Sequence, residues 1–158
     1  MLEEAQRRIQ QTIDEELSYL DLSGLGLDTI PKEIVQLTWI GALSLSRNKI
    51  SDVSLLSQMP NLHKLALTDN EIEDITPLKE LVKLRFIFLG NNKVNDISVL
   101  RKQERLKKLV LNDNKLMLLP DLSMFELLAY LDISENPLTS PSVQTIKKMF
   151  PLLKIYKS

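Results

Sequence analysis

The sequence has 158 residues, of which 44% are hydrophobic and 26% are charged, a composition typical of one soluble globular domain and not of a disordered or membrane chain. The 20 Lys and Arg residues nearly balance the 21 Asp and Glu residues, so a net charge of -1 gives no overall attraction to nucleic acid or to an anionic membrane. Cysteine is absent, which excludes structural disulfides, thiolate catalysis and cysteine-ligated zinc.

The first predicted element is an amphipathic capping helix over residues 1–16. Apolar residues recur there at intervals of three or four and share one helical face: Leu2, Ala5, Ile9, Ile13 and Leu17. We expect this helix to cover one end of the domain; the alternative interpretation is a helix that binds a membrane surface or a partner. The mixed charge of its polar face, where acids balance Arg7 and Arg8, favours the cap.

The same N-terminal segment bears on the location of the protein. It carries acids and Arg throughout, so it lacks the apolar core of a secretory signal, and the chain contains no apolar run of about 18 residues. We therefore expect a cytoplasmic protein with no membrane contact, and a nuclear location is also compatible with the sequence.

Residues 17–138 consist of six repeats. These begin at positions 17, 40, 62, 84, 106 and 128, and all six fit the pattern LxxLxLxxNxL with Ile or Val in place of some Leu. Five repeats contain the Asn of the pattern: Asn48, Asn70, Asn92, Asn114 and Asn136. In the first repeat Leu25 takes its place.

Each part of the repeat predicts a local structure. Alternation in the first half predicts a short strand, with Leu65 and Leu67 directed inward and Lys64 outward in the third repeat. The Asn after the strand has donors and an acceptor that can satisfy backbone groups left unpaired at the turn, so we assign it a structural role.

In the second half of the repeat, apolar residues at every third position predict 3₁₀ turns or short helix on the convex side. Asp52, Asp74 and Asp96 precede such positions and are expected to accept amide hydrogen bonds that start the turn. Gln103 stands where the pattern expects an apolar residue.

With these motifs the chain resembles the leucine-rich-repeat family over nearly its whole length. The 22-residue repeats with NxIxDI are similar to the subclass typified by a nuclear protein-phosphatase regulatory subunit, whereas LGLDTIPKEIVQL and NKLMLLPDLSMF are similar to bacterial and plant-type LxxLP repeats. The resemblance implies an α/β fold, a right-handed solenoid shaped as a horseshoe arc with a parallel concave β-sheet. It also implies an N-terminal helical cap and a C-terminal helix-plus-strand cap.

The last segment, residues 139–158, is the predicted C-terminal cap of this single domain. Ser140 and Pro141 are typical of a helix N-cap and first helical residue, and Pro151 would end that helix. The side chains expected to face the core are Val143, Ile146 and Phe150. The final LLKIYKS then predicts an incomplete seventh strand.

Residues suited to catalysis are scarce. The Gly residues form no phosphate-binding loop, and His63 is the sole histidine, so we expect it to be solvated. Asp69, Asp113 and Glu135 follow strands, but Asp69 and Asp113 are two strands apart, about 10 Å, too far for paired acid-base catalysis. We predict no catalytic residue, no metal site and no cofactor, and therefore no enzyme.

Basic residues are concentrated in RKQERLKK, residues 101–108. No aromatic side chain lies among them and Glu104 interrupts them, so we expect a solvated surface and no nucleic-acid partner.

Outward strand positions form two columns across the repeats. The first column contains Tyr19, Ala42, Lys64, Phe86, Lys108 and Tyr130, and the second contains Asp21, Ser44, Ala66, Phe88, Val110 and Asp132. An aromatic centre with a charged rim is typical of a binding hot spot, although scattered exposed apolar residues are the alternative interpretation. The predicted protein-binding residues are Phe86, Phe88, Val110, Lys64, Lys108 and Tyr130.

These observations predict a non-catalytic interaction scaffold or regulatory module that binds a partner protein through its concave sheet, without a small-molecule substrate. The family resemblance also implies two alternatives. One is a regulatory subunit of a phosphatase or GTPase, and the other is a component of an RNA-protein complex that would use residues 101–108.

Overall fold

The structure is a computed structural model and describes residues 2–139, 145–146, 148 and 154–156. One α-helix, α1 (Leu2–Asp14), begins the chain. Short strands follow among the described residues: β1 (Tyr19–Asp21), β2 (Ala42–Ser44), β3 (Lys64–Ala66), β4 (Phe86–Phe88), β5 (Lys108–Val110), β6 (Tyr130–Asp132) and β7 (Lys154–Tyr156). Between the first five strands lie 3₁₀ helices: η1 (Lys32–Gln36), η2 (Ser54–Gln58), η3 (Thr76–Glu80) and η4 (Ser98–Lys102).

The strands pair in sequence order to form one open parallel sheet of seven strands in the described part of the chain. Equivalent residues of successive repeats stand side by side, as Lys64 pairs with Phe86 and Phe86 with Lys108. The predicted fold, a solenoid with a parallel sheet and an N-terminal helix, is confirmed. Its outward sheet surface is called the concave face below.

One continuous core runs along the solenoid. The central residue of each repeat strand faces inward and is at most 3% exposed: Leu20, Leu43, Leu65, Ile87, Leu109 and Leu131. Period-three positions such as Val53, Leu56 and Met59 close the opposite side of the core. Burial of each such side chain contributes about 1.5–3 kcal/mol, and each repeat depends on its neighbours for that burial.

The Asn residues join consecutive repeats as predicted. Asn92 accepts a hydrogen bond from the Ile72 amide at 3.0 Å and donates to the carbonyls of Leu67 and Leu89 at 2.9 and 3.1 Å. Asn48 accepts from the amides of Leu25 and Leu27, at 3.1 and 3.0 Å. Each Asn therefore pairs with the preceding repeat, and Asn48 does so for the first repeat.

The residue before each Asn has a left-handed backbone conformation, a feature that the sequence pattern did not reveal. Its φ lies between 53° and 59° at Arg47, Asp69, Asn91, Asp113 and Glu135. The equivalent residue of the first repeat is Gly24, with φ 68°. A left-handed backbone costs a non-Gly residue about 1–2 kcal/mol, which the Asn hydrogen bonds beside it offset.

The predicted aspartate turns are present. The carboxylates of Asp52, Asp74 and Asp96 accept hydrogen bonds from amides two residues later at 2.8, 2.8 and 2.7 Å. In each case a 3₁₀ helix starts at the donor residue. The fifth repeat forms no 3₁₀ helix within its described residues, and Met117 and Leu118 are exposed there.

The helix α1 packs on the first repeat through Ala5, Ile9 and Thr12. The prediction that Leu2 belongs to this buried face is wrong, since Leu2 is 54% exposed. The face that contacts the repeat starts one turn later, at Ala5. No helix in the described part of the chain has the length and apolarity needed to cross a membrane.

At the C-terminal end, Ile146 is buried as expected, and β7 pairs in parallel with β6 where the seventh strand was predicted. The other predicted features of this cap lie outside the described residues: Ser140, Pro141, Val143, Phe150 and Pro151.

Candidate functional site on the concave face

The outward residues of the strands form the two columns that alternation predicts. In the first column, Lys64, Phe86, Lys108 and Tyr130 stand side by side, and Lys154 of β7 continues the row. In the second column, Ala66, Phe88, Val110 and Asp132 are neighbours. All six predicted protein-binding residues therefore share one surface, which spans β3 to β6.

Two aromatic rings form the middle of this surface. Phe86 and Phe88 are half-buried, whereas Ile87 between them is fully buried in the core. Val110 is also half-buried and lies beside Phe88 on the next strand. These three residues form an apolar centre that remains partly open to solvent.

Cations lie against the aromatic rings of the site. The Lys108 ammonium nitrogen is 4.0 Å from the centroid of the Tyr130 ring and 5.5 Å from that of Phe88. The guanidinium carbon of Arg85 is 5.8 Å from the centroid of the Phe86 ring. Such contacts contribute about 0.5–1 kcal/mol each at exposed sites and hold the cations at the edge of the apolar centre.

Sequence reasoning placed Lys108 correctly beside the aromatic residues but missed Arg85. Arg85 precedes β4, so strand alternation alone does not assign it to the outward surface. The available signal was its position next to Phe86, since a long guanidinium side chain readily reaches the ring of an adjacent residue.

Small side chains flank the apolar centre toward the first repeat. Ala42, Ser44 and Ala66 form the floor of a hollow of about 320 Å³, with Tyr19 and Asp21 at one side and Lys64 at the other. Burial raises the pKa of Asp21, but hydrogen bonds from Ser23 and the nearby Arg8 and Arg47 outweigh it and lower the pKa below its usual value. The hollow therefore carries an anionic and a cationic wall at neutral pH.

The strand-exit column shows a different arrangement. Asn91 donates a hydrogen bond of 2.7 Å to Asp69 and stands between the strand ends that carry Asp69 and Asp113. No group of three or more His, Cys, Asp or Glu residues in the described regions could hold a metal ion. The exposed His63 contacts the Gly41 carbonyl through Nδ1 at 2.5 Å.

The basic segment 101–108 divides between two surfaces. Arg101 and Lys102 lie exposed at the end of η4, while Lys107 and Lys108 enter the sheet at β5. Because the chain turns between them, the segment does not present one continuous basic strip.

Comparison with known proteins supports the repeat assignment. Residues 42–80 match the family described as Leucine Rich repeats (2 copies). No curated protein sequence matches the chain. The narrower likeness to the phosphatase-subunit subclass stays a prediction, because the family match does not distinguish subclasses.

Several solved structures share the fold. An internalin, InlF, of Listeria monocytogenes is 31% identical with a TM-score of 0.68, over 82% of this chain and 37% of that one. A leucine-rich-repeat protein of Leptospira interrogans is 30% identical with a TM-score of 0.73, over 80% of this chain and 33% of that one. The plant peptide hormone receptor RGFR1, in complex with RGF2, is 26% identical with a TM-score of 0.73, over 88% of this chain and 24% of that one. The chain thus spans well under half of each of these proteins.

Proposed function

We propose that this leucine-rich-repeat solenoid is a non-catalytic interaction module that binds one partner protein through its concave face. Phe86, Phe88 and Val110 would form the centre of the interface, and Lys64, Lys108 and Tyr130 its rim. Leucine-rich-repeat proteins generally act as protein-interaction modules, and the plant receptor structure contains such a protein in a complex.

One observation carries this proposal: two half-buried Phe rings lie side by side with Val110 on an outward surface where single exposed apolar residues would be the ordinary finding. The rings do not fill the core, because Ile87 does so. A partner that covers them would remove apolar area from water, and the cations beside them would supply a polar rim.

The test is affinity purification with the wild-type chain, followed by titration calorimetry on each purified partner. The double variant Phe86→Ala/Phe88→Ala should retain its fold and lose about 2–4 kcal/mol of binding free energy, roughly 30- to 1000-fold in affinity. Circular dichroism would verify the fold of each variant.

The matched control is Arg101→Ala/Lys102→Ala, at the end of η4 away from the concave face. It should bind each partner with wild-type affinity. Full affinity in the Phe variant would refute the concave interface, and loss of affinity in the control would move the site to the basic segment.

A further inference from the structure

The charges of the central repeats are distributed unevenly between the two borders of the parallel sheet. Because all strands run in one direction, residues that precede strands gather at one border of the sheet and residues that follow them gather at the other. Basic residues predominate before β4 and β5, where Glu104 is the nearby acid, and this side is here called the basic border: Lys83, Arg85, Arg105 and Lys107. Acids predominate after the strands, where Lys93 and Lys115 also lie, and this side is here called the acidic border: Asp69, Glu71, Glu73, Asp74, Asp96 and Asp113.

Backbone hydrogen bonds fix the basic border beside the apolar centre. The Arg85 amide donates to the His63 carbonyl at 2.8 Å, and the Lys107 amide donates to the Arg85 carbonyl at 2.8 Å. His63, Arg85 and Lys107 are therefore adjacent, about 4.8 Å apart from strand to strand. Phe86 comes directly after Arg85, and Lys108 comes directly after Lys107. The cations and the aromatic rings therefore form one surface.

These cations have no anionic partner among the residues that the structure describes. Across the described residues, no carboxylate forms an ion pair with Lys64, Arg85, Lys107 or Lys108. On the acidic border, by contrast, Lys93 pairs with Glu71 at 3.1 Å. The overall charge of the chain is near zero, so the positive potential beside Phe86 arises from this arrangement and not from an excess of basic residues.

The contacts of the rings favour acidic peptide over nucleic acid. Single-stranded nucleic acid binds by stacking its bases on free aromatic faces. Here Lys108 lies against Tyr130 and Phe88, and Arg85 lies against Phe86, so resident cations compete for the ring surfaces. Carboxylates of an acidic peptide can instead pair with these cations without displacing them from the rings. An apolar side chain of the peptide can then contact the remaining ring edges and Val110.

We propose that the partner engages the concave face through an acidic segment with a central apolar residue. The apolar residue would contact Phe86, Phe88 and Val110, while the carboxylates pair with Lys64 and Lys108 and with the adjacent Arg85 and Lys107. This inference rests on the proposed function and deepens it by naming the chemistry of the partner.

The spacing of the cations sets the pattern of that segment. Lys64 and Lys108 stand on either side of Phe86, two strand spacings or about 10 Å apart. In an extended peptide, every second side chain shares a face, and residues four apart are separated by about 13 Å. Flexible Lys stems absorb the difference. The segment therefore has the pattern acid-x-apolar-x-acid.

The experiment measures binding of synthetic probes to the full chain by fluorescence anisotropy. The main probe is a fluorescein-labelled peptide with the pattern Glu-x-Leu-x-Glu and Ser at x. Control probes replace Glu by Lys or Leu by Ala, and a fluorescein-labelled oligothymidylate represents nucleic acid. We expect a Kd below about 100 μM for the main probe. Binding should weaken about tenfold when salt rises from about 0.1 M to about 1 M, because the Debye length falls from about 10 Å to about 3 Å.

Charge reversal locates the site. Arg85→Glu/Lys107→Glu should weaken binding of the main probe at least about tenfold. The matched control, Lys49→Glu/Lys115→Glu, makes the same change in net charge at exposed residues that follow strands, and its affinity should stay within about twofold of wild type. Equal losses in both variants would overturn the proposal, because they would show a response to net charge alone.

The remaining outcomes separate the two proposals. If the acidic probe does not bind, while Phe86→Ala/Phe88→Ala still loses a purified partner, the acidic-segment inference fails and the concave interface stands. If that Phe variant keeps its partner, the concave interface itself fails. Tighter binding of oligothymidylate than of the acidic peptide would overturn the inference in favour of nucleic acid.

Discussion

Replacing Gln103 by Met should stabilise the protein. Gln103 is fully buried at a position of the repeat that Met59 and Leu81 occupy elsewhere, and its Oε1 has no hydrogen-bond partner among the described residues. Its Nε2 donates to the Leu78 carbonyl at 2.8 Å, but that carbonyl also accepts from the Leu81 amide at 3.0 Å and would stay paired.

The magnitude follows from these contacts. A buried acceptor without a partner costs about 1–3 kcal/mol, and the hydrogen bond that would be lost contributes about 0.5–1.5 kcal/mol. Met has nearly the volume of Gln and adapts to the same space. We therefore expect Gln103→Met to raise the free energy of unfolding by about 1 kcal/mol, or the melting temperature by about 2–4 °C.

Urea denaturation followed by circular dichroism measures this change, with the melting temperature as a second readout. The reciprocal variant Leu81→Gln buries a new amide at the equivalent position and should destabilise the chain by about 1–3 kcal/mol. A loss of stability in Gln103→Met would refute the reasoning, since it would mean that Oε1 is hydrogen-bonded in solution.

Three further predictions concern the core, the helical cap and pH. Leu109→Ala should cost about 2–5 kcal/mol of unfolding free energy by leaving a cavity in the sheet, and a loss below about 1 kcal/mol in urea denaturation would contradict its burial. Deletion of residues 1–16 should uncover the first repeat and lower the melting temperature; an unchanged melt with lost partner binding would make α1 a recognition helix. Hydrogen bonds from Arg7 and Arg8 lower the pKa of Glu4 to about 2, below its ordinary 4.5. The ionised Glu4 therefore stabilises the folded chain fully above pH 4.5, and this stabilisation is lost as the pH falls toward 2. In acid titrations of stability, the Glu4→Gln variant should lack this part of the pH dependence.

The repeat pattern alone predicted the sheet and its register. Leu65, Ile87 and Leu109 pair with one another because each repeat between β3 and β5 has the same length, so a residue meets its equivalent in the next turn. The role of the Asn residues also followed from the sequence. An amide side chain at every turn has donors and an acceptor that match the unpaired backbone groups there. Local chemistry and strict spacing were sufficient for these features.

The sequence pattern could not predict features that depend on neighbours in three dimensions. Leu2 fits the apolar face of α1 but lies one turn before the contact with the first repeat, and periodicity does not show where a contact begins. The left-handed backbone at Arg47 is equally hidden, because Arg has no preference for that conformation. It results from the turn that its repeat must make.

Within the candidate site, the sequence by itself determined which residues face outward, because alternation along a strand leaves only two directions. Only the tertiary structure decided where the cations lie. The ammonium of Lys108 is against Tyr130, which is 22 positions later in the chain, and the two borders combine residues of strands that are distant in sequence. Long side chains have many rotamers of similar energy, and the groups on adjacent strands select among them.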